Sequence, residues 1–412
     1  MTAVIICEFN PFHNGHGYIV NEARKLVGNG GRIIAVMSGN FVQRGEPAVT
    51  HKWCRAKAAL RCGIDAVIEL PSVYAASGAQ FFAEAAVNII NKLDFVDYIV
   101  FGSESGDIES IKKVAMLKAN PTEQFNETLR DALSQGLAYP AAMQKALGFE
   151  TTFLSNDILG IEYVTALIKS GGKAKPVAIK RTGTTSHSDD LPASGDGNIT
   201  SANAIRTSLK RNEQSLTELQ KYMPSEAFDE FSQSLKENGG PVCLNDFEQY
   251  IFGRILAIGP EGLKNLPFIT EGLENKIYAE CLNARKLEEL IEGCVGKRYT
   301  RTRITRALTA LITGADHEKH FSKGINLPYL RILGIKDSSK ELLGKVARCC
   351  KEKGNDYIAG AVPPEFNGLS RQSAELLKLE CIATDIYFLA TPEKRAGAEF
   401  REGLVTEALA TV

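Results

Sequence analysis

The feature that most constrains this chain is the alternation of short apolar runs with amphipathic stretches over its first 180 residues. Residues 3–9 form an apolar run that stops at polar Asn10, the pattern of a strand buried on both faces of a parallel sheet. Residues 16–27 then repeat at helical spacing and run out at Gly28-Asn29-Gly30-Gly31, a helix stop. Strand 33–37, helix Lys52–Arg61, strand 66–70 and helix 80–93 follow, and a fourth strand, 98–101, opens into Gly102-Ser103-Glu104. After a helical stretch at 107–147 comes one more helix–strand pair, 156–169 and 175–180. This order predicts an α/β fold with a doubly wound parallel sheet and right-handed crossovers. Ligands bind such sheets at the carboxyl ends of the strands, so the loops at 10–17, 38–47 and 102–106 are predicted to converge on one crevice.

Segment 182–198 is rich in Gly, Ser, Thr and Asp and reads as a loop. Thr200 or Ser201 then caps a helix running to Leu209. Beyond about residue 210 strand signals thin out and helical periodicity dominates. The expected organisation is a nucleotide-handling domain at 1–210 and a mainly helical domain at 211–412.

A net charge of −1 over 412 residues exerts no global cationic pull, so contact with nucleic acid needs a local patch. No apolar run approaches the roughly 18 residues of a membrane span, and Met1-Thr2-Ala3-Val4-Ile5-Ile6 reads as strand rather than leader. Nine scattered cysteines without a CxxC pair suit reduced thiols. A cytoplasmic protein is expected, with no membrane and no stable protein partner.

The chemistry concentrates after the first strand. His13 and His16, three residues apart, lie on one side of a helix start, where free N–H groups and a partial positive charge favour phosphate. Two imidazoles there can donate hydrogen bonds to an α-phosphate during displacement. Gly15 permits close backbone approach and Pro11 sets the entry of the loop. A structural histidine pair is the alternative. A zinc site is not expected, because His51, His187, His317, His320 and the cysteines offer no completing spacing. Gly102 ends a strand where a nucleotide needs room. Asn156 is either an adenine or ribose contact or a helix cap. Arg181 follows a strand and suits triphosphate charge, while Ser201 and Arg206 suit a second phosphate clamp. Lys52 and Arg55 face either the crevice or solvent. No acid pair, Ser-His-Asp set or reactive Cys appears, which fits in-line displacement at phosphorus, a reaction of positioning and charge stabilisation.

His13-Asn14-Gly15-His16 resembles the HxGH signature of adenylyltransferases. The longer strings Glu8-Phe9-Asn10-Pro11-Phe12-His13-Asn14-Gly15-His16 and Met37-Ser38-Gly39-Asn40-Phe41-Val42-Gln43-Arg44-Gly45-Glu46-Pro47-Ala48 are more specific. With Phe101-Gly102-Ser103-Glu104, Ser155-Asn156-Asp157, Lys180-Arg181 and Ser201-Ala202-Asn203-Ala204-Ile205-Arg206 in order, they resemble the bacterial tRNA(Met) cytidine acetate ligase family. The resemblance is strong over 1–210 and weaker beyond. It implies an enzyme that activates acetate with ATP as acetyl-adenylate, releasing pyrophosphate. The acetyl group then passes to N4 of the wobble cytidine of elongator tRNA(Met), forming N4-acetylcytidine.

The resemblance further implies ATP contacts from Ile6, Cys7, Glu8, Phe9, Asn10, Pro11, Phe12, His13, Asn14, Gly15, His16, Gly17, Tyr18 and Ile19, and from Gly102, Asn156 and Arg181. His13 and His16 are its catalytic pair. Mg²⁺ is expected with the ATP, held mainly by phosphates. Phe9 stands where Tyr is commoner, and Asn203 where the family has Thr, which removes one hydroxyl from the expected phosphate contacts. A small-metabolite adenylyltransferase is the alternative activity, although the long C-terminal half weighs against it.

For the tRNA, Lys297-Arg298-Tyr299-Thr300-Arg301-Thr302-Arg303-Ile304-Thr305-Arg306 offers five basic residues, one aromatic and no acid. Its helical continuation buries Ile304, Leu308, Leu311 and Ile312. At about 100° per residue, Tyr299, Arg303 and Arg306 point away from that stripe, and with Arg298 they form the expected RNA face. Acetate is expected near loop 38–47.

Overall fold

The structure, a computed structural model, describes residues 1–137, 139–148, 153–181, 191, 198–211 and 216–408. The loop expected at 182–198 lies, apart from Leu191 and Asn198, outside these residues. Strand β1 (Thr2–Cys7) leads into helix α1 (Asn14–Val27), and β2 (Arg32–Ser38) into a small antiparallel hairpin of β3 (Phe41–Val42) and β4 (Glu46–Pro47). Helix α2 (Lys52–Arg61), β5 (Ala66–Leu70), α3 (Ala79–Lys92), β6 (Tyr98–Ser103), α4 (Ser155–Ser170) and β7 (Lys175–Lys180) continue the alternation. Helix α5 (Ala202–Arg211) follows.

Strands β5, β2, β1, β6 and β7 lie side by side and parallel, with Thr2 opposite Arg32 and Ala3 opposite Tyr98. The chain builds outward from β1 in one direction through β2 and β5, then returns to add β6 on the other side. The gap between the carboxyl ends of β1 and β6 is therefore the topological switch point. Side-chain alternation drives this layering: Val4, Ile6, Ile34 and Val36 enter the core on one face, and Ala3, Ile5, Cys7, Ile33, Ala35 and Met37 the core on the other. A sheet buried on both faces needs such continuous apolar strands.

Helices predominate after residue 210, among them α6 (Arg301–Thr313), α7 (Arg371–Leu389) and the short α8 (Ala398–Arg401). Yet three strands from this half, β8 (Tyr329–Lys336), β9 (Asp356–Ala359) and β10 (Val405–Glu407), extend the same sheet. Strand β8 runs antiparallel to β5, and β9 and β10 pair with it in parallel. The sheet thus takes strands from both sides of residue 210. Ile304, Leu308, Leu311 and Ile312 are buried as expected, in a third core that also takes in Phe41 of the hairpin and Trp53 of α2. All nine cysteines are free. Among the described residues no helix is long and apolar enough to cross a membrane.

Candidate active site

A cavity of about 520 Å³ opens at the switch point. The three loops expected to converge do so, contributing Asn10, His13 and His16, then Gln43 and Arg44, then Gly102. Of the expected ATP segment, Ile6, Cys7, Glu8, Phe9, Asn10, His13, His16 and Ile19 line the cavity. Pro11, Phe12, Asn14, Gly15, Gly17 and Tyr18 are not in its lining. Asn14 instead donates to the carbonyls of Asn198 (2.7 Å) and Lys221 (2.9 Å), fastening α1 to the chain after β7.

The histidine spacing acts first as a capping device. Nδ1 of His13 accepts the Gly15 amide at 3.0 Å, and Nδ1 of His16 accepts the His13 amide at 3.3 Å, a reciprocal cap on α1. An acceptor nitrogen carries no proton, so each neutral ring holds its hydrogen on Nε2. The rings stand 3.9 Å apart between centroids. Gly15 is required by this packing rather than by a ligand, since a Cβ there would lie 2.8 Å from Cε1 of His13. Burial, reinforced by His16, Arg181 and Arg206, holds the His13 pKa well below the usual value. Burial and Arg181 bring His16 down to about 3. Both imidazoles are therefore neutral hydrogen-bond donors at pH 7.

Around them the strand ends are locked. Phe9, in the left-handed region at φ 48°, packs on Phe12 and on the edge of His16. The Asn10 side-chain oxygen accepts the Val49 amide at 2.8 Å, and its buried Nδ2 has no partner among the described residues. Lys52 and Arg55, for which an exposed face was one expectation, are both buried. The Arg55 guanidinium donates to the carbonyls of Glu8 (2.6 Å), Ser38 (3.2 Å), Thr50 (3.0 Å) and Gly39, joining the ends of β1 and β2.

On the β6 side, a Cβ on Gly102 would stand 3.0 Å from Ile19 and 3.4 Å from Arg181. Asn156 lines the cavity and opens α4, whose first amides are capped by the Glu104 carboxylate. The Asn156 side chain also donates to Glu104 at 2.6 Å. Asn156 therefore stands in the cavity wall but is not the helix cap: Leu154 precedes α4, and the capping carboxylate is that of Glu104. Arg181 lines the cavity, its pKa lowered by burial. Ser201 caps α5 through the Ala204 amide (3.0 Å), and Arg206 donates to the Asn10 carbonyl (2.8 Å) and to Asn203 (3.0 Å). Asn203, the departure noted in the sequence, therefore holds an arginine in place.

The outward basic face needs correction. Tyr299 is 8% exposed, and its hydroxyl donates to the Glu271 carbonyl at 2.6 Å. It precedes the Thr300 cap of α6, so helical angles do not govern it. Arg306 turns inward and lines the cavity, its Nε donating to the Gln43 carbonyl at 2.8 Å. Arg303 lies over the Tyr299 ring and bonds Phe268 and Thr270. Arg298 remains exposed. Tyr163, Thr302 and Arg306 are cavity residues that the sequence did not place there.

The chain matches the HIGH Nucleotidyl Transferase family model over residues 1–401. It is 35% identical to the tRNA(Met) cytidine acetate ligase of Acetivibrio thermocellus, over 97% of this chain and 98% of that protein. The enzyme of that name from Caldicellulosiruptor saccharolyticus is 36% identical over 97% of each. Crystal structures of Thermotoga maritima TmcAL superpose with TM-scores of 0.86 (apo) and 0.85 (bound with alpha-thio ATP), at 30% and 29% identity. Each alignment covers 98% of this chain, with 100% and 99% of the TmcAL chains.

Proposed function

Because the chain belongs to the tRNA(Met) cytidine acetate ligase family of HIGH nucleotidyl transferases, we propose that it makes acetyl-adenylate from acetate and ATP, then acetylates N4 of the wobble cytidine of elongator tRNA(Met). The observation that carries this reading is the pair of neutral histidines whose Nδ1 atoms are occupied by backbone amides at the mouth of β1. Their Nε2–H groups are left as fixed donors, the arrangement that stabilises charge building on an α-phosphate. A neutral donor needs no proton transfer, and displacement at phosphorus by acetate requires none.

An acetate oxygen attacks the α-phosphorus, forming the mixed anhydride, and the bond to pyrophosphate breaks with its electron pair. His13 and His16 steady the phosphoryl oxygens, Arg181 and Arg206 offset the triphosphate charge, and Gly102 leaves room for the nucleoside. In the second step the cytidine amine attacks the acetyl carbonyl, AMP leaves, and the amine proton is released. The acids nearest the cavity are already engaged, Glu8 by the Gln43 amide and Glu104 by Asn156 and Asp157. Mg²⁺ thus fits as the companion of ATP, held by phosphate oxygens rather than by protein carboxylates. The tRNA would approach along the exposed side of Arg298 and Arg303, with Lys297 beside them.

The decisive experiment supplies protein, ATP, labelled acetate and total tRNA, and follows label into RNA. Label in cytidine of the methionine tRNA supports the proposal. Turnover independent of acetate, with a nucleotide or pantetheine substrate, would refute it.

A further inference from the structure

The proposed reaction brings two anions together, the triphosphate and the acetate carboxylate, and the residues assigned so far serve the first. The cavity holds two more arginines. Arg306 reaches it from α6 in the C-terminal half, and Arg44 from the turn of the β3–β4 hairpin. Among the described residues neither has an acid within ion-pair distance, whereas on the same helix Arg301 has two and Arg303 has one. Burial lowers the Arg306 pKa to about 10, with the nearby Arg44 guanidinium adding to the shift and Glu8 opposing it. The one carboxylate in the cavity lining, Glu8, draws on Arg306 without forming an ion pair and already accepts the Gln43 amide, so two guanidiniums outnumber it and an incoming anion relieves them.

The arrangement is held rigidly. Three consecutive hairpin carbonyls are each taken by a side chain of α6: Gln43 by Arg306 Nε (2.8 Å), Arg44 by Thr305 (2.8 Å) and Gly45 by Thr309 (2.7 Å). Gly45 has φ 74°, and a Cβ there would lie 2.4 Å from the Arg306 amide nitrogen, so no larger residue permits this approach. On its other side the Gln43 amide donates to Glu8 at the end of β1 (2.8 Å). With Nε engaged, the Arg306 fork offers its two terminal nitrogens end-on, a geometry matched to the two oxygens of one carboxylate. Ala79 and Phe82 in the same lining supply apolar surface for a methyl group.

We propose that Arg306, with Arg44 beside it, is the receptor of the acetate carboxylate, so that the acetate subsite is completed by the C-terminal half. The inference rests on the acetate-activating reading above.

Acetate-dependent ATP–pyrophosphate exchange tests it, together with direct binding of ATP and of tRNA. Arg306→Gln is expected to raise the KM for acetate about 30-fold, with the affinities for ATP and tRNA within about twofold of wild type. Arg306→Lys, which keeps the charge without the fork, is expected to fall between. Thr309→Val removes a hairpin contact outside the cavity lining and should raise the KM for acetate only a few-fold. ATP affinity falling in step with acetate would make Arg306 a phosphate contact. Loss of tRNA affinity at unchanged KM for acetate would make it an RNA contact. A Thr309→Val variant matching Arg306→Gln would reduce Arg306 to a hairpin buttress. Each of these outcomes overturns the proposal. Failure of the acetate-activating reading is separately visible, because the wild type itself would then show no acetate-dependent exchange.

Discussion

Two regions of this molecule gather charge, and they do so in opposite ways. Beneath the hairpin, Lys52 and Arg331 are enclosed with Glu69, Glu380 and Glu399, all five side chains having essentially no exposure. The three carboxylates approach within 4.8 Å of one another, a grouping that suits a metal ion. Lys52 Nζ already bonds all three, so the cation of this site is the protein's own ammonium. Arg331 adds an ion pair to Glu69 (3.2 Å) and one to Glu399, and Ser72 and Thr384 satisfy further oxygens. In the cavity, by contrast, Arg44 and Arg306 carry no acid partner among the described residues, and Arg206 spends its donors on a carbonyl and an amide. Charge closed by internal partners joins β5, β8, α2, α7 and α8, whereas charge left open awaits a ligand.

The contrast makes its strongest demand at Lys52. Lys52→Met leaves Glu69 and Glu399 sharing Arg331 and Glu380 without a cation, and should cost about 3–5 kcal/mol of stability, read as a lowered denaturation midpoint. An unchanged midpoint would mean that the cluster does not hold the two halves together. His16→Ala should act the other way, lowering acetate-dependent exchange about 10²–10³-fold while the midpoint moves little. If the variant unfolds instead, the histidine is structural and the comparison loses its functional side.

Acid should separate the regions further. His16 and His51 have folded pKa values of about 3, lowered first by burial, against 6.5 for the free side chain. A base whose folded pKa is lowered contributes stability above its unfolded pKa, and that contribution is lost as pH falls from about 6.5 toward 3. The loss is about 2 kcal/mol for each histidine at pH 5. Saturating ATP should blunt the part due to His16, since phosphate favours the imidazolium. Chemical denaturation at pH 7 and pH 5, with and without ATP, checks both parts, and equal acid sensitivity in the two would disconnect His16 from the phosphates. The smallest effect is expected at the surface. Arg298→Ala should weaken tRNA binding a few-fold and reduce the slope of log affinity against log salt by about 1. An unchanged slope would move the RNA face elsewhere.

Much of this was legible in the residues. The β-α order through β7 and the position of the histidines at the first crevice follow from apolar runs and a stop signal, both local. Strand β8 was not legible. Its string Tyr-Leu-Arg-Ile-Leu-Gly-Ile-Lys carries an arginine and a glycine where a buried strand should be apolar, and the arginine is tolerated only because Glu69 and Glu399 lie against it. Glu69 is 262 residues away in the chain. Tyr299 was misplaced because it precedes the helix cap, and Arg306 because an angle on a helical wheel says where a side chain leaves the helix but not which carbonyl it reaches.

What the sequence determined by itself is the local machinery: a strand, a reciprocal histidine cap at a three-residue spacing, and a glycine that lets the rings pack, all within a dozen residues. Only the tertiary structure decided which cations are neutralised internally and which stay open. An arginine is the same in Arg331 and Arg306. The difference lies in what the fold places within reach of each, acids from distant elements for one and a row of hairpin carbonyls for the other. Ion pairing depends on distance in space, which local sequence patterns do not encode.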